Sequence, residues 1–348
     1  MDKLDRAILD LLQQEFPLSW QPWQELSQRL AISPAELLAR IGALKTAGVI
    51  RRIGGVMDAR RIGYHSCLCA LKIGEEQMDT AVAVINAHPG VTHNYERDHE
   101  YRLWFTLTMR TAVSLERQLT EWEDLLHCHI LRLPALRTYK IRVYFPMLSD
   151  TDSTPGPGWN GASASTTFGI EPPTPSVVEG VESGSDAVLP APTIDPAFDQ
   201  DIFIFLQDDL PLQSEPYQPL ADRLQVSPTR ILARIAELQR EGKIRRLTAI
   251  LRHHQAGYRA NAMVVWKVAE DQIDYYGELL AGHSAVSHCY RRAIYEQFPW
   301  PLYTMVHAHN REQLAAIVEE LAATSGLSEY QVIYSVSELK KSSLRFDI

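Results

Sequence analysis

Two short segments of the sequence carry the same set of reactive side chains. The first reads Val91-Thr92-His93-Asn94-Tyr95-Glu96-Arg97 and the second Val286-Ser287-His288-Cys289-Tyr290-Arg291-Arg292. A strand places alternate residues on one face. Read this way, Val91, His93, Tyr95 and Arg97 share a face, and so do Val286, His288, Tyr290 and Arg292. An imidazole, a phenol and a guanidinium in a row suit an anionic ligand. Arginine grips a carboxylate through paired hydrogen bonds, while histidine and tyrosine hold or deliver protons. A polar sheet surface at a dimer interface has the same composition. Two copies of the same residue types favour the ligand site.

Aromatic residues follow each segment. Tyr101 and Trp104 flank Arg102 and Leu103, and Trp300 and Tyr303 flank Pro301 and Leu302. Flat walls beside arginine and histidine fit a planar polyanion such as a carboxylated tetrapyrrole, and ordinary core packing is the competing reading. Arg51-Arg52 and Arg245-Arg246 stand where a helix ends and a hairpin begins. They are placed for DNA backbone, or for carboxylates if the hairpin packs over a sheet; the second role is preferred because the surrounding charge is balanced. Other signals are weaker. Cys67 and Cys69 lie two apart on a strand, His127-Cys128-His129 sits at a helix end with no matching set in the other half, and His253-His254 has no counterpart in the first half. No metal site is expected from them. No Gly-rich phosphate loop, HExxH or GxSxG pattern occurs.

The elements behind these segments are duplicated. From Leu4 and Phe198, at an offset of 194, the chain repeats without a gap for about 60 residues: Pro17 matches Pro211, Ser33-Pro34 matches Ser227-Pro228, Gly48 matches Gly242 and Gly63-Tyr64 matches Gly257-Tyr258. Two copies point to a fused dimer rather than a solenoid. Each copy opens with three helical patterns. The third starts at a serine N-cap followed by proline and stops at glycine. Residues 49–53 and those around 56 read as a small hairpin, giving a winged helix-turn-helix. Strands near 65–73, 91–97, 101–109 and 136–145, with helices near 75–87 and 111–126, then follow a ferredoxin-like βαββαβ order. In the second copy the strands fall near 259–268, 285–292, 301–308 and 329–337, with helices near 270–281 and 310–323. Of the 45 residues from Ser149 to Thr193, 20 are Gly, Pro or Ser and none is Lys or Arg, a linker composition. The expected organisation is α+β: winged helices at 1–62 and 194–256, ferredoxin-like domains at 63–148 and 257–348, and a flexible linker at 149–193.

The 348 residues, 45% apolar and 22% charged, are those of a globular chain of two or more domains. No apolar run is long enough to span a membrane. The amphipathic N-terminus has no signal-peptide core, which points to the cytoplasm, and four cysteines make no disulfide framework. Net charge is −9. Residues 1–60 carry 8 basic against 7 acidic groups and residues 195–260 carry 9 of each, a poor balance for a DNA reader, which needs phosphate contacts.

Three helices and a ferredoxin-like unit are the layout of Lrp/AsnC-type regulators. The pairing of IRR…GY with V-x-H-x-Y-x-R, together with HHQAGYRANAMVVW, VSHCYRR, HNYER and YRLWFTL, resembles the siroheme decarboxylases, a family related to those regulators. The resemblance covers both repeats and is to the fused form of a two-subunit enzyme of the haem d1 type. It implies a carboxy-lyase that converts sirohaem to 12,18-didecarboxysirohaem with loss of two acetate carboxyls as carbon dioxide. No organic cofactor is implied beyond the iron-containing substrate. By resemblance, His93 and His288 are proton donors or activators, with contact to the haem iron as the alternative, and Tyr95 and Tyr290 orient or relay. Arg97, Arg292, Arg51, Arg52, Arg245 and Arg246, with Trp104 and Tyr303, are the candidate binding residues. The second half, with Arg291 and Arg292, is the preferred pocket. The expected partners are the tetrapyrrole, the other repeat of the same chain and a second copy of the chain; neither membrane nor DNA is expected. A DNA-binding regulator and a non-catalytic haem sensor are the alternatives.

Overall fold

Each repeat begins with helices whose ends are written locally. In the computed structural model, which describes residues 1–14, 16–141, 147, 196–252, 258–342 and 345–346, helices α1 (Lys3–Gln14), α2 (Pro22–Arg29) and α3 (Pro34–Thr46) form the first headpiece. Helices α6 (Pro196–Gln207), α7 (Gln218–Leu224) and α8 (Pro228–Arg240) form the second. Ser33 and Ser227 accept from the backbone N–H groups of Glu36 and Arg230, satisfying donors that a helix start leaves unpaired. Gly48 (φ 74°) and Gly242 (φ 70°) take the left-handed turn that follows α3 and α8, which a side chain would disfavour. The expected linker at 149–193 and the pair His253-His254 lie outside the described residues.

The expected hairpin is not formed. Each headpiece instead ends in one strand, β1 (Ile50–Met57) and β6 (Ile244–Leu251), and these pair antiparallel with each other across the repeats. Ile8, Leu12, Trp23 and Ile41 of one headpiece and Ile202, Phe203, Tyr217 and Ile235 of the other fall in a single buried cluster. That shared core gives β1 a ready partner strand outside its own repeat.

The remaining elements are β2 (His65–Leu71), α4 (Glu75–Ala87), β3 (Val91–Arg97), β4 (Leu103–Met109), α5 (Ala112–Leu126) and β5 (Ile130–Ile141) in the first repeat. In the second they are β7 (Ala260–Trp266), α9 (Ile273–Gly282), β8 (Val286–Arg292), β9 (Leu302–Ala308), α10 (Arg311–Ser325) and β10 (Tyr330–Lys341). β5 starts at Ile130, six residues before the expected strand. The ferredoxin-like order holds in both, but the two sheets are not separate. β5 pairs with β8 and β10 with β3, closing a barrel in the order β10-β3-β4-β2-β5-β8-β9-β7. Helices cover the outside over two apolar clusters. Inside, Trp104, Leu131, Leu133, Met263, Val265, Tyr303 and Ile333 form a third. Phe298, from the connection between β8 and β9, is 2% exposed and plugs this interior, with ring centroids 5.7 Å from both Tyr101 and Trp104.

Candidate active site

The barrel positions the two strips. β3 and β8 face each other's repeat, each lying beside the other half's last strand, so their inward side chains look into one interior. Plain alternation does not give the residues that point there. A bulge separates Val91 from His93 and Val286 from His288, and one extra residue reverses the alternation. Val91 and Val286 therefore pack outward in the helix-covered clusters. So do their next outward neighbours: Asn94 donates to Asn86 Oδ1 of α4 at 2.9 Å, and the Cys289 thiol meets the Gly277 carbonyl of α9 at 3.4 Å. The inward strips are His93-Tyr95-Arg97 and His288-Tyr290-Arg292. Arg291 is not part of the second strip; it pairs with Glu270.

Within each strip the geometry is repeated. The histidine and tyrosine rings stack, with centroids 6.4 Å apart in the first and 6.0 Å in the second. The arginine lies over the tyrosine at 5.1 and 4.6 Å. Arg97 Nη1 donates to the Ile333 carbonyl at 3.3 Å and Arg292 Nη1 to the Leu133 carbonyl at 2.6 Å. Nε of each arginine is buried with no partner among the described residues. Donors held in place with hydrogen-bonding capacity unspent are what a carboxylate would use. Thr92 Oγ1 and Ser287 Oγ each lie 2.9 Å from Nδ1 of the adjacent histidine and fix the rings, leaving Nε2 as the working edge. The sequence signal for this pair is the hydroxyl residue before each histidine, Thr92 and Ser287.

The electrostatics are those of a cationic recess. Burial lowers His93 to about 4, with Lys341 and Arg51 adding to the effect. Burial lowers His288 to about 3, followed by the charges of His93, Arg245, Arg292 and Arg246. The charge of His93 reaches His288 from the other strip. Both retain some accessible surface, as side chains lining a concavity do. Both imidazoles are neutral at neutral pH, not the near-neutral acids that a ready proton donor would be. Burial also raises the Tyr95 and Tyr290 phenols and lowers Arg97 to about 10.

The other sequence candidates divide. The charges of Arg51 and Arg245, on the β1–β6 ribbon, reach His93 and His288 respectively; Arg245 also pairs with Asp58 at 2.8 Å. Arg246 acts on His288 least. Arg52 is turned away: it donates to the carbonyls of Leu206 in α6 and Gly55, because alternation along β1 points it into the headpieces. Trp104 is not a wall of the site. At 1% exposure, with Nε1 donating to the Tyr101 carbonyl at 2.6 Å, it is barrel core. Tyr303 is equally buried and lies beneath Arg292, 5.4 Å from ring centroid to guanidinium. Residues not anticipated are Lys341 and Glu338 opposite the first strip and Arg60, whose charge reaches Tyr290 and Arg292. A recess of about 500 Å³ includes Arg60, His65, Cys67, Arg132 and Tyr295. A second, of about 590 Å³, includes Arg97 with Glu96, Asp98 and Glu100. Among the described residues no cluster of His, Cys, Asp or Glu could hold a metal ion, and no helix is long and apolar enough to cross a membrane.

Known proteins align with nearly the whole chain. The model of the siroheme decarboxylase NirDL-like HTH domain matches residues 5–51 and 199–245, and that of the AsnC-like ligand binding domain matches residues 61–140 and 255–340. The siroheme decarboxylase of Hydrogenobacter thermophilus is 31% identical over 343 residues, spanning 97% of this chain and 93% of its own. A siroheme decarboxylase alpha subunit of Desulfovibrio desulfuricans is 43% identical over 151 residues, 43% of this chain and 87% of that subunit. The crystal structure of siroheme decarboxylase NirDL superposes with a TM-score of 0.69 at 29% identity, covering 100% of this chain and 95% of that one. A co-complex of NirDL with an iron-uroporphyrin III analogue superposes at 0.67 and 28% identity, covering 99% and 94%.

Proposed function

We propose, from the premise that this chain belongs to the siroheme decarboxylase family, that it is a carboxy-lyase converting sirohaem to 12,18-didecarboxysirohaem. The single observation that carries this is the pair of His-Tyr-Arg strips on the inward faces of β3 and β8, reached by the charges of Arg51 and Arg245 from the β1–β6 ribbon. Eight ionised carboxylates need such a surplus of cations, and the NirDL structure with an iron-uroporphyrin III analogue supports a macrocyclic ligand. At each of the two reacting acetate arms, carbon dioxide leaves, the electron pair of the broken C–C bond is delocalised into the macrocycle, and one proton completes the new methyl group. Arg97, Arg292, Arg51 and Arg245 bind the carboxylates of the macrocycle, Tyr290 orients the reacting acetate arm and His288 supplies the proton, with Tyr95 and His93 as their counterparts on the other strip. His288 is neutral in the chain alone, and an arriving carboxylate favours the imidazolium, so the proton is taken up with the substrate. No organic cofactor enters this scheme, and the product suits the haem d1 route.

The test is anaerobic incubation of the purified chain with sirohaem, followed by mass spectrometry. The product should lack two carbon dioxide units, and His288→Ala should slow its formation about 10²–10⁴-fold, the usual contribution of a positioned acid. An unchanged mass with tight binding would make the protein a tetrapyrrole carrier instead. The regulator reading is disfavoured by what the presumed recognition helices do with their cations. Arg40 is bound to Asp2, Asp5 and Glu36, and Arg234 to Asp199, Glu237 and Glu241.

A further inference from the structure

The two strips are not equivalent, and the difference lies on the strands beside them. β10 runs along β3 in the same register as β5 along β8: His93 faces Lys341 and Tyr95 faces Glu338, where His288 faces Ile141 and Tyr290 faces Thr138. On the outer face the duplication is kept. Lys340 donates to the carbonyls of Asn86 and His88, and Lys140 to that of His283, each closing the end of a helix in the other repeat. On the inner face it is broken. The Tyr95 hydroxyl donates to Glu338 Oε2 at 3.3 Å, and Lys341 Nζ lies 3.6 Å from the same oxygen. The first strip therefore already holds a carboxylate, paired with a lysine and a phenol. The second offers a neutral hydroxyl and an apolar side chain amid arginine charge.

The geometry points to Glu338 as a specificity-determining residue that keeps a substrate carboxylate off the His93-Tyr95 strip and sends the reacting acetate arm to the His288-Tyr290 strip. This rests on the decarboxylase reading. A second carboxylate at Tyr95 would compete with Glu338 for the Tyr95 hydroxyl and the Lys341 ammonium, and would meet a like charge that Lys341 offsets only in part, a penalty of roughly tenfold or more in occupancy at the effective dielectric of a partly buried site. Glu338 touches no reacting atom in this scheme; it acts by charge.

Exchange of the two inner residues tests it, using the full chain and sirohaem under anaerobic conditions. Thr138→Glu should lower kcat/KM at least tenfold. Glu338→Gln and Glu338→Thr should each lower KM several-fold and yield two isomeric mono-decarboxylated species, separable by chromatography, as acetate arms enter either strip. Glutamine keeps an acceptor for the Tyr95 hydroxyl, so a merely structural hydrogen bond predicts wild-type behaviour for Glu338→Gln and a change only for Glu338→Thr. That pattern overturns the inference, as does Thr138→Glu with wild-type kcat/KM. Should Thr138→Glu fail to fold by circular dichroism, Glu338→Gln decides alone. If the wild-type chain releases no carbon dioxide, the decarboxylase reading falls. Sirohaem titration then still tests the charge argument, with tighter binding expected for Glu338→Gln and weaker for Thr138→Glu; equal affinities overturn it.

Discussion

Lowering the pH from 8 to 5 should weaken the fold through His93 and His288, and replacing both with glutamine should remove that part of the loss. Their values in the folded chain, about 4 and about 3, lie below the 6.5 of an unperturbed imidazole. For a group depressed in the native state, the unfolded chain takes the proton first. The contribution is therefore whole above 6.5 and disappears as the pH falls toward the native values. At pH 5 the proton bound by the unfolded chain is worth roughly 2 kcal/mol per histidine, whatever the folded values, so long as they lie below 5. Two rings give about 4 kcal/mol, reduced to roughly 2–4 kcal/mol by the water that reaches half-buried side chains. Urea midpoints at pH 8 and pH 5, for the wild type and for His93→Gln/His288→Gln, isolate this quantity, since every other titrating group cancels in the double difference. The wild type should lose that much more than the variant. An equal loss would mean that the imidazoles are protonated or open to solvent at rest, and the claim that substrate brings the proton would go with it. A direct companion is proton uptake when sirohaem is added to unbuffered protein near pH 7.

Arg292→Lys loses the fork that holds the Leu133 carbonyl while pointing a second donor inward, and should raise KM for sirohaem about tenfold with the fold intact by circular dichroism. Arg234→Ala leaves the Asp199 carboxylate, 7% exposed, without its partner, and should cost about 3–5 kcal/mol in denaturant unfolding without altering kcat. Phe298→Ala removes the plug between Tyr101 and Trp104 and should cost about 3–5 kcal/mol; scanning calorimetry reads it. Fluorescence anisotropy with duplex DNA should give only weak, sequence-independent association at physiological salt, and nanomolar affinity for one sequence would reopen the regulator reading.

The duplicated parts of this molecule were legible in the sequence. The serine caps, the glycine stops and the βαββαβ order are local signals written twice, and so is the recurrence of histidine, tyrosine and arginine. What escaped was set by pairing between distant segments. A bulge adds one residue without marking it, so Val91 looked like a strip member. The partner of β1 is β6, nearly 200 residues away, so a strand that belongs to an inter-repeat ribbon read as a hairpin. Arg51 and Arg52 are indistinguishable in the sequence until β1 is given a face. Trp104 looked like a wall because nothing local announces that the two sheets close into a barrel around it. Glu338 and Lys341 were invisible as site residues for the same reason: they stand opposite Tyr95 and His93 only because β10 crosses to the other repeat.

That crossing explains why a duplication can produce a site with two unlike sides. Each strip is completed by the last strand of the other copy, β3 by β10 and β8 by β5, so neither repeat owns a whole half-site. In a homodimer, two-fold symmetry would set the same side chains opposite both strips. A glutamate beside one tyrosine would then be a glutamate beside both, and the recess would repel the carboxylates it must hold. With both copies on one chain, the outer residues of β5 and β10 keep their common structural task, as Lys140 and Lys340 do. The inner residues are free to diverge into Thr138 on one side and Glu338 on the other. A macrocycle with unlike edges needs that difference if it is to enter in one orientation.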